Sequence, residues 1–236
     1  MRDFKTKANL ALIVIDIQKD TFAPLTNKEK AIPEMPDSVQ RMLNTRLLID
    51  KCREVKIPVI FLQEIHRENL VDFGRELDGN EKIHYLDNDP LTELAVEELG
   101  ILSSDYKIQK RRYSAFYGTD LEILLKGLSV NTLILTGGLT DVCVHYTFVD
   151  AHQGDYYCYV IEDCTTGSSK EAHESALKAM EYLQNGTVVS RSQMIEKIDK
   201  TTSCPDYNQR FDNLGDPILP YNFDITFPKP VYYLKP

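Results

Sequence analysis

Three residues in this sequence have types and positions that could carry chemistry. Asp16 directly follows the apolar run Leu10–Ile15. A carboxylate leaving a buried strand is partly desolvated, which raises its pKa and suits it to proton transfer. A turn former or helix cap is the other reading of such an Asp. Cys143 closes the stretch Leu135-Thr136-Gly137-Gly138-Leu139-Thr140-Asp141-Val142-Cys143. The glycine pair provides a tight turn and Thr140 a candidate N-cap, so Cys143 falls in the first turn of a helix. There the macrodipole favours a thiolate, and unpaired backbone N–H groups can receive a developing oxyanion. A buried structural cysteine is the alternative, and it is the reading taken for Cys52, Cys158, Cys164 and Cys204. Lys110 leaves the run Tyr106–Gln109 and enters Arg111-Arg112-Tyr113-Ser114-Ala115-Phe116. An ammonium there could pair with Asp16 and lower a neighbouring thiol's pKa, or be one solvated member of a basic cluster.

Bringing three such residues together requires elements that end at a common edge. Six short runs read as strands: Leu10–Ile15, Pro58–Leu62, Tyr106–Gln109, Thr132–Leu135, Tyr157–Ile161 and Thr187–Val189. They are mostly continuously apolar, as strands covered on both faces are. Between most of them lie helical stretches: Ser38–Val55, Leu91–Leu99, Thr119–Lys126, Thr140–His152 and Ser169–Leu183. In the first, Val39, Met42, Leu43, Leu47, Leu48 and Ile49 form the apolar stripe. The alternation predicts an α/β fold of three layers, a mostly parallel six-stranded sheet with helices on both faces. Functional crevices of such sheets lie beyond the carboxyl ends of the strands, where Asp16, Lys110 and Cys143 fall.

Two regions depart from the alternation. Residues 63–90 form a long polar insertion, a candidate lid carrying Asp72, Arg75, Glu76 and Asp78. Residues 201–236 are rich in proline and aromatics, which forbids a helix yet exceeds what a solvated tail needs, and predicts an extended C-terminal arm. The main domain is accordingly assigned to 1–200.

Composition excludes several classes of function. The 27 Lys and Arg against 36 Asp and Glu leave a net charge of −9, which disfavours nucleic acid. No run is long enough to span a bilayer, and the N-terminus lacks a signal-peptide core. Five cysteines without a CxxC pattern suit a reducing compartment. The expectation is a soluble cytoplasmic protein without a membrane or nucleic-acid partner.

Asp16 in Val-Ile-Asp-Ile-Gln, Lys110 in Lys-Arg-Arg-Tyr-Ser-Ala-Phe-Tyr-Gly-Thr-Asp-Leu and Cys143 in Thr-Gly-Gly-Leu-Thr-Asp-Val-Cys-Val resemble the isochorismatase-like cysteine hydrolases. That family includes nicotinamidases, N-carbamoylsarcosine amidase and biuret and ureidoacrylate amidohydrolases, and the likeness covers roughly residues 8–195. The resemblance implies a catalytic triad of Asp16, Lys110 and Cys143, a cis peptide between Gly138 and Leu139, and an oxyanion hole from the N–H groups of Leu139 and Cys143. It implies a cysteine-dependent amidohydrolase that cleaves a small amide or ureido/carbamoyl substrate through a thioester, releasing ammonia or an amine, with no cofactor and as a homo-oligomer (dimer or tetramer). Family members that cleave a vinyl ether lack this cysteine, so Cys143 favours amide hydrolysis. Gln18, Phe22, Phe116 and Tyr117, flanking the motifs, are taken as substrate-binding walls. Two alternatives stay open. Glu64, His66 and His84 resemble the metal site of nicotinamidases with Glu for Asp, although no metal is assigned here. A catalytically silent binding or scaffold module of the same fold is the other. His145 and His152 read as packing residues on the helix after Cys143, and His173 as an exposed helix residue.

Overall fold

The computed structural model describes residues 9–23 and 32–202. At its centre is β1 (Leu10–Ile15), buried at every position because helices cover both of its faces. Side chains of a strand alternate between faces, so Leu10, Leu12 and Val14 enter one core and Ala11, Ile13 and Ile15 the other. Around it lie β2 (Val59–Glu64), β3 (Tyr106–Lys110), β4 (Thr132–Gly138), β5 (Tyr157–Thr166) and β6 (Val188–Val189). The order is β3-β2-β1-β4-β5-β6 and every pairing is parallel, so the sheet expected to be mostly parallel is wholly so among the described residues.

The helices are α1 (Lys19–Phe22), α2 (Ser38–Glu54), α3 (Val96–Leu99), α4 (Leu121–Gly127), α5 (His145–Gln153), α6 (Lys170–Leu183) and α7 (Arg191–Thr202). Met42, Ile49 and Cys52 of α2, Leu99 of α3 and Met194 and Ile198 of α7 complete the first core. Leu121 and Leu125 of α4, Phe148 and Ala151 of α5 and Ala176, Leu177 and Met180 of α6 complete the second. Helix α6 shows why such elements are readable: Ser169 accepts the Ala172 N–H as N-cap, and His173, Ala176, Leu177 and Met180 repeat at helical spacing toward the sheet.

Helix α2 forms as expected but buries a different stripe. Ser38, Met42, Thr45, Leu48, Ile49 and Cys52 face inward, whereas Val39, Leu43 and Leu47 are 43%, 38% and 55% exposed. The small residues Ser38 and Thr45 allow close approach to the sheet, with Thr45 donating to Cys164 O at 3.5 Å. Helix α7 has no counterpart among the sequence expectations, and Leu91–Leu99 is split into a short 3₁₀ turn at Pro90–Thr92 and α3.

The strand order reverses between β1 and β4, since β2 and β3 extend to one side and β5 and β6 to the other. A crevice opens at such a reversal beyond the carboxyl ends of the strands. Residues 201–236, read as an arm, lie outside the described residues from 203 onward. No helix among the described residues is long and apolar enough to cross a membrane.

Candidate active site

Strand register builds the site. Ile15 pairs with Leu62 on one side and Gly137 on the other, and Glu64 pairs with Lys110, so the ends of β1, β2, β3 and β4 share one edge. Asp16 turns out of β1 with φ 53°, a left-handed conformation that Asp tolerates, and its N–H donates to Leu62 O at 3.1 Å. Gly137 has φ +107°, and a Cβ there would lie 1.9 Å from Ile15 O, so β1 and β4 approach at a point only glycine permits. The Gly138–Leu139 peptide is cis. The chain then makes one wide turn over Thr140–Val144, in which the Val144 N–H reaches back to Leu139 O at 3.1 Å, and enters α5. Cys143 therefore sits within a π-type turn rather than in the first turn of a regular helix.

Asp16, Lys110 and Cys143 come together, all buried, and a fourth residue joins them. Lys110 Nζ lies 2.7 Å from Asp16 Oδ2, 2.5 Å from Glu64 Oε2 and 3.5 Å from Cys143 Sγ, and also donates to Arg112 O at 3.1 Å. Cys143 Sγ is 3.5 Å from Glu64 Oε2. Two carboxylates thus share one ammonium. Burial would raise Glu64, yet Lys110 and the imidazoles of His66 and His84 hold it well below the usual carboxylate range. Burial and the neighbouring Glu64 charge instead lift Asp16 to about 7 against the pull of Lys110. A carboxylate 2.7 Å from an ammonium would ordinarily be lowered. Here the desolvation outweighs an ion pair already divided with Glu64.

The thiol departs from expectation. Burial, with Glu64 and Asp16 adding to it, pushes Cys143 well above a free thiol despite Lys110. A thiolate favoured by a helix dipole was anticipated; the two adjacent carboxylates oppose it. The resting group is a thiol next to a carboxylate lifted toward neutral pH, a stronger base than an ordinary Asp. Cys52, Cys158 and Cys164 are free and buried, and burial raises all three.

Residues 63–90 fold against this centre. Glu64 Oε1 lies 3.3 Å from His66 Nε2 and 3.0 Å from His84 Nε2, and Glu76 Oε2 lies 3.2 Å from His66 Nε2. Phe73 stacks on His66 with ring centroids 3.9 Å apart. Bonds to Glu64 and Glu76 raise His66 to about 9 although burial alone would lower it. His84 is raised in the same way, with its Nδ1 against Lys82 O. Of the charges placed on this segment, Glu76 points inward, Asp72 binds Arg67, and Arg75 and Asp78 pair on the surface.

One donor atom each from Glu64, His66, Glu76 and His84 lies within 4.8 Å of the others. Their contacts of 3.0 to 3.3 Å are close to the roughly 3.4 Å between donors of one tetrahedral divalent ion. His66 Nδ1 and Glu76 Oε1 are buried without a hydrogen-bond partner among the described residues. Two imidazoles and two carboxylates, partly unsatisfied, are a donor set that fits such an ion.

A cleft of about 460 Å³, counting its open mouth, leads to Cys143. Asp16, Glu64, Gly138, Leu139 and Cys143 form its floor, with Glu81, Tyr85, Tyr113 and Thr166 on the walls. None of the four residues taken as walls is among those lining it. Gln18 is fully buried, its amide donating to Glu64 O and Thr92 O at 3.0 and 2.7 Å and accepting the Glu64 N–H at 2.9 Å, so it anchors the end of β2. Phe22 packs on the first core, Phe116 on the second, and Tyr117 is 67% exposed. His173 is buried and bonded to Thr140 Oγ1 at 2.8 Å, bracing the turn that carries Cys143. The positions of Glu64 beside Asp16, Lys110 and Cys143, of Glu76 against His66 and of Thr166 in the cleft have no counterpart among the sequence expectations. For Glu64 a signal existed, because it ends a strand directly beside Lys110.

The family described as the isochorismatase domain matches residues 10–194. An uncharacterized isochorismatase family protein of Bacillus subtilis, YaaI, is 28% identical over 200 residues, covering 81% of this chain and 99% of its own. Ureidoacrylate amidohydrolase RutB of Yersinia enterocolitica is 29% identical over 196 residues, covering 75% and 84%. Among solved structures, a pyrazinamidase of Pyrococcus horikoshii in complex with zinc superposes with a TM-score of 0.65 at 30% identity, over 77% of this chain and 99% of its own.

Proposed function

Because the chain belongs to the isochorismatase family, we propose that it is a cysteine-dependent amidohydrolase acting on a small amide or ureido/carbamoyl substrate. The observation that carries this reading is the buried contact of Lys110 with Asp16 and Cys143, the latter two lining a cleft. In the reaction, Asp16 takes the thiol proton as Cys143 Sγ attacks the carbonyl carbon. Glu64, held well below the usual range, is the weaker base of the two carboxylates and stays the counterion of Lys110. The N–H groups of Leu139 and Cys143 receive the carbonyl oxygen as its charge develops. Asp16 gives its proton to the leaving nitrogen, ammonia or an amine departs, and a thioester remains. Water, losing its proton to Asp16, attacks the thioester, and the acid leaves as Cys143 regains its hydrogen.

The test is ammonia release from a panel of biuret, nicotinamide, maleamate and carbamoylated amino acids, with mass spectrometry of enzyme quenched during turnover. The expected product is an acyl adduct on Cys143; turnover without any adduct-forming cysteine would count against the thioester. Since the base must be ionised, kcat/KM is expected to rise with pH through about 7 and then level. A profile flat between about pH 5.5 and 8.5 would exclude Asp16 as that base.

A second reading is favoured by the donor set of Glu64, His66, Glu76 and His84. A divalent ion held there would act as a Lewis acid toward a substrate atom entering the cleft. The protein's own part would be to orient the four donors and keep Glu64 in contact with Lys110. Elemental analysis of protein purified without an affinity tag is expected to show about one zinc, iron or manganese per chain under this reading. A metal content near zero, with melting temperature unmoved by a chelator, removes it.

A further inference from the structure

The cleft holds a group that the proposed chemistry does not use. Thr166 ends β5, where the pairing with β4 slips: Leu135 faces Val160, but Gly137 faces Thr165 and Gly138 faces Thr166. The slip brings Thr166 beside the peptide that precedes the oxyanion turn. Thr166 is only 2% exposed, lines the cleft, and its Oγ1 has no hydrogen-bond partner among the described residues. Neighbouring hydroxyls are satisfied within the protein: Thr165 donates to Ile161 O at 3.2 Å and Thr140 bonds His173 at 2.8 Å. A buried hydroxyl without a partner is costly, so on a residue that lines a cleft it is the group whose missing bond an entering ligand would supply.

The rest of the lining has a definite charge. Glu81, from the 63–90 segment, is half-buried in the cleft, and the Tyr113 hydroxyl donates to it at 3.5 Å. The described lining carries four carboxylates, Asp16, Glu34, Glu64 and Glu81, and one imidazole, His84, which is held by Glu64 at 3.0 Å, but neither arginine nor lysine. Lys110 lies beneath the floor with its ammonium already facing Asp16, Glu64, Arg112 O and Cys143. A substrate carboxylate would be desolvated against these acids, whereas N–H groups would meet acceptors.

We infer that Thr166 and Glu81 form a subsite selecting an amide or ureide whose far end donates hydrogen bonds, neutral or cationic, and which bears no carboxylate. The inference rests on the amidohydrolase reading for the site but concerns only what the cleft accepts. Thr166 Oγ1 binds the acyl side of the substrate next to the Gly138–Leu139 edge. Glu81, elsewhere on the same lining, takes an N–H or ammonium.

Three ureas sharing one reacting end test it: N-carbamoylglycine, N-carbamoylglycinamide and (2-aminoethyl)urea, ending in a carboxylate, an amide and an ammonium. Their affinities are measured by calorimetry on the Cys143→Ala protein, so that no turnover intervenes. The neutral and cationic ureas are expected to bind at least about tenfold tighter than the carboxylate. Thr166→Val is expected to weaken the neutral urea severalfold and Thr166→Ser to restore it, with Glu81→Gln narrowing the gap between ammonium and carboxylate. Equal or tighter binding of the carboxylate, or binding of none of the three, overturns the inference. Acylation of Cys143 in the wild-type protein is read separately, so an amidohydrolase that prefers carboxylates would remove the subsite and leave the enzyme standing.

Discussion

Cys143→Ala is expected to lower turnover by about 10⁴- to 10⁶-fold while leaving the fold intact, because covalent catalysis has no substitute nucleophile once the sulfur is gone. The other described cysteines cannot replace it: Cys52, Cys158 and Cys164 are buried in the cores away from the cleft, and burial pushes each thiol up. The size of the loss separates mechanisms. If the ammonia released by Cys143→Ala stays within about tenfold of wild type, a water attacking directly is the nucleophile and the thioester route is excluded. The melting temperature should change little, because Ala keeps Cβ in the core and removes only one sulfur atom that borders the cleft. Cys143→Ser is expected to be nearly as inactive, since a hydroxyl is a far weaker acid than the thiol Asp16 must deprotonate.

Lys110→Met is the second large effect, and it should fall on stability as well as on rate. The lysine is 1% exposed and its ammonium is within 2.7 Å of two buried carboxylates. Removing one partner of a buried charge pair costs about 3 to 5 kcal/mol, because the remaining charge is left uncompensated. In the variant, Asp16 rises further above its unfolded value, and Glu64, still held by His66 and His84, loses the largest of the pulls that lower it. A carboxyl raised in the folded state contributes stability at low pH that is lost as pH climbs through its folded value. The variant should therefore be relatively better folded in mild acid and worst at neutral and alkaline pH. Thermal melts across pH, beside the wild type, read this directly. A variant with wild-type melting temperature at neutral pH would mean that Lys110 is not the counterion of these acids. The rate should fall too, since neither the carboxylates nor the developing charges on Cys143 keep their cation.

Much of the site was legible because its residues stand at strand ends. Leu10–Ile15 is a run with no polar interruption, so its end at Asp16 was unambiguous, whereas β3 alternates polar and apolar residues and closes on Lys110 itself. Gly137 and Gly138 announced the close approach that the Ile15 carbonyl enforces. The family match over residues 10–194 agrees with that reading of the order of motifs. The failures share a cause. Gln18 looked like a cleft wall from its place beside Asp16, but its amide is spent on Glu64 and Thr92, 46 and 74 residues away. In α2, apolar side chains were assigned inward by period alone, yet the sheet accepted Ser38 and Thr45 and left Val39, Leu43 and Leu47 outside.

By itself, then, the order of residues determined the sheet, the helices that alternate with it and the three strand-end groups, because these depend on short periodicities and on abrupt ends of apolar runs. Only the tertiary structure decided which way side chains face in the aperiodic segments. Residues 63–90 have no repeat to betray an inward face, and Glu76, Glu81 and His84 acquired theirs by packing around Glu64. Thr166 reached the cleft through a slip in strand pairing that no local pattern records. The proton balance belongs to the same category. Burial beneath the cleft lifts Asp16 to about 7 and keeps Cys143 a thiol, and Glu64, brought beside Lys110 by the pairing of β2 with β3, adds to both.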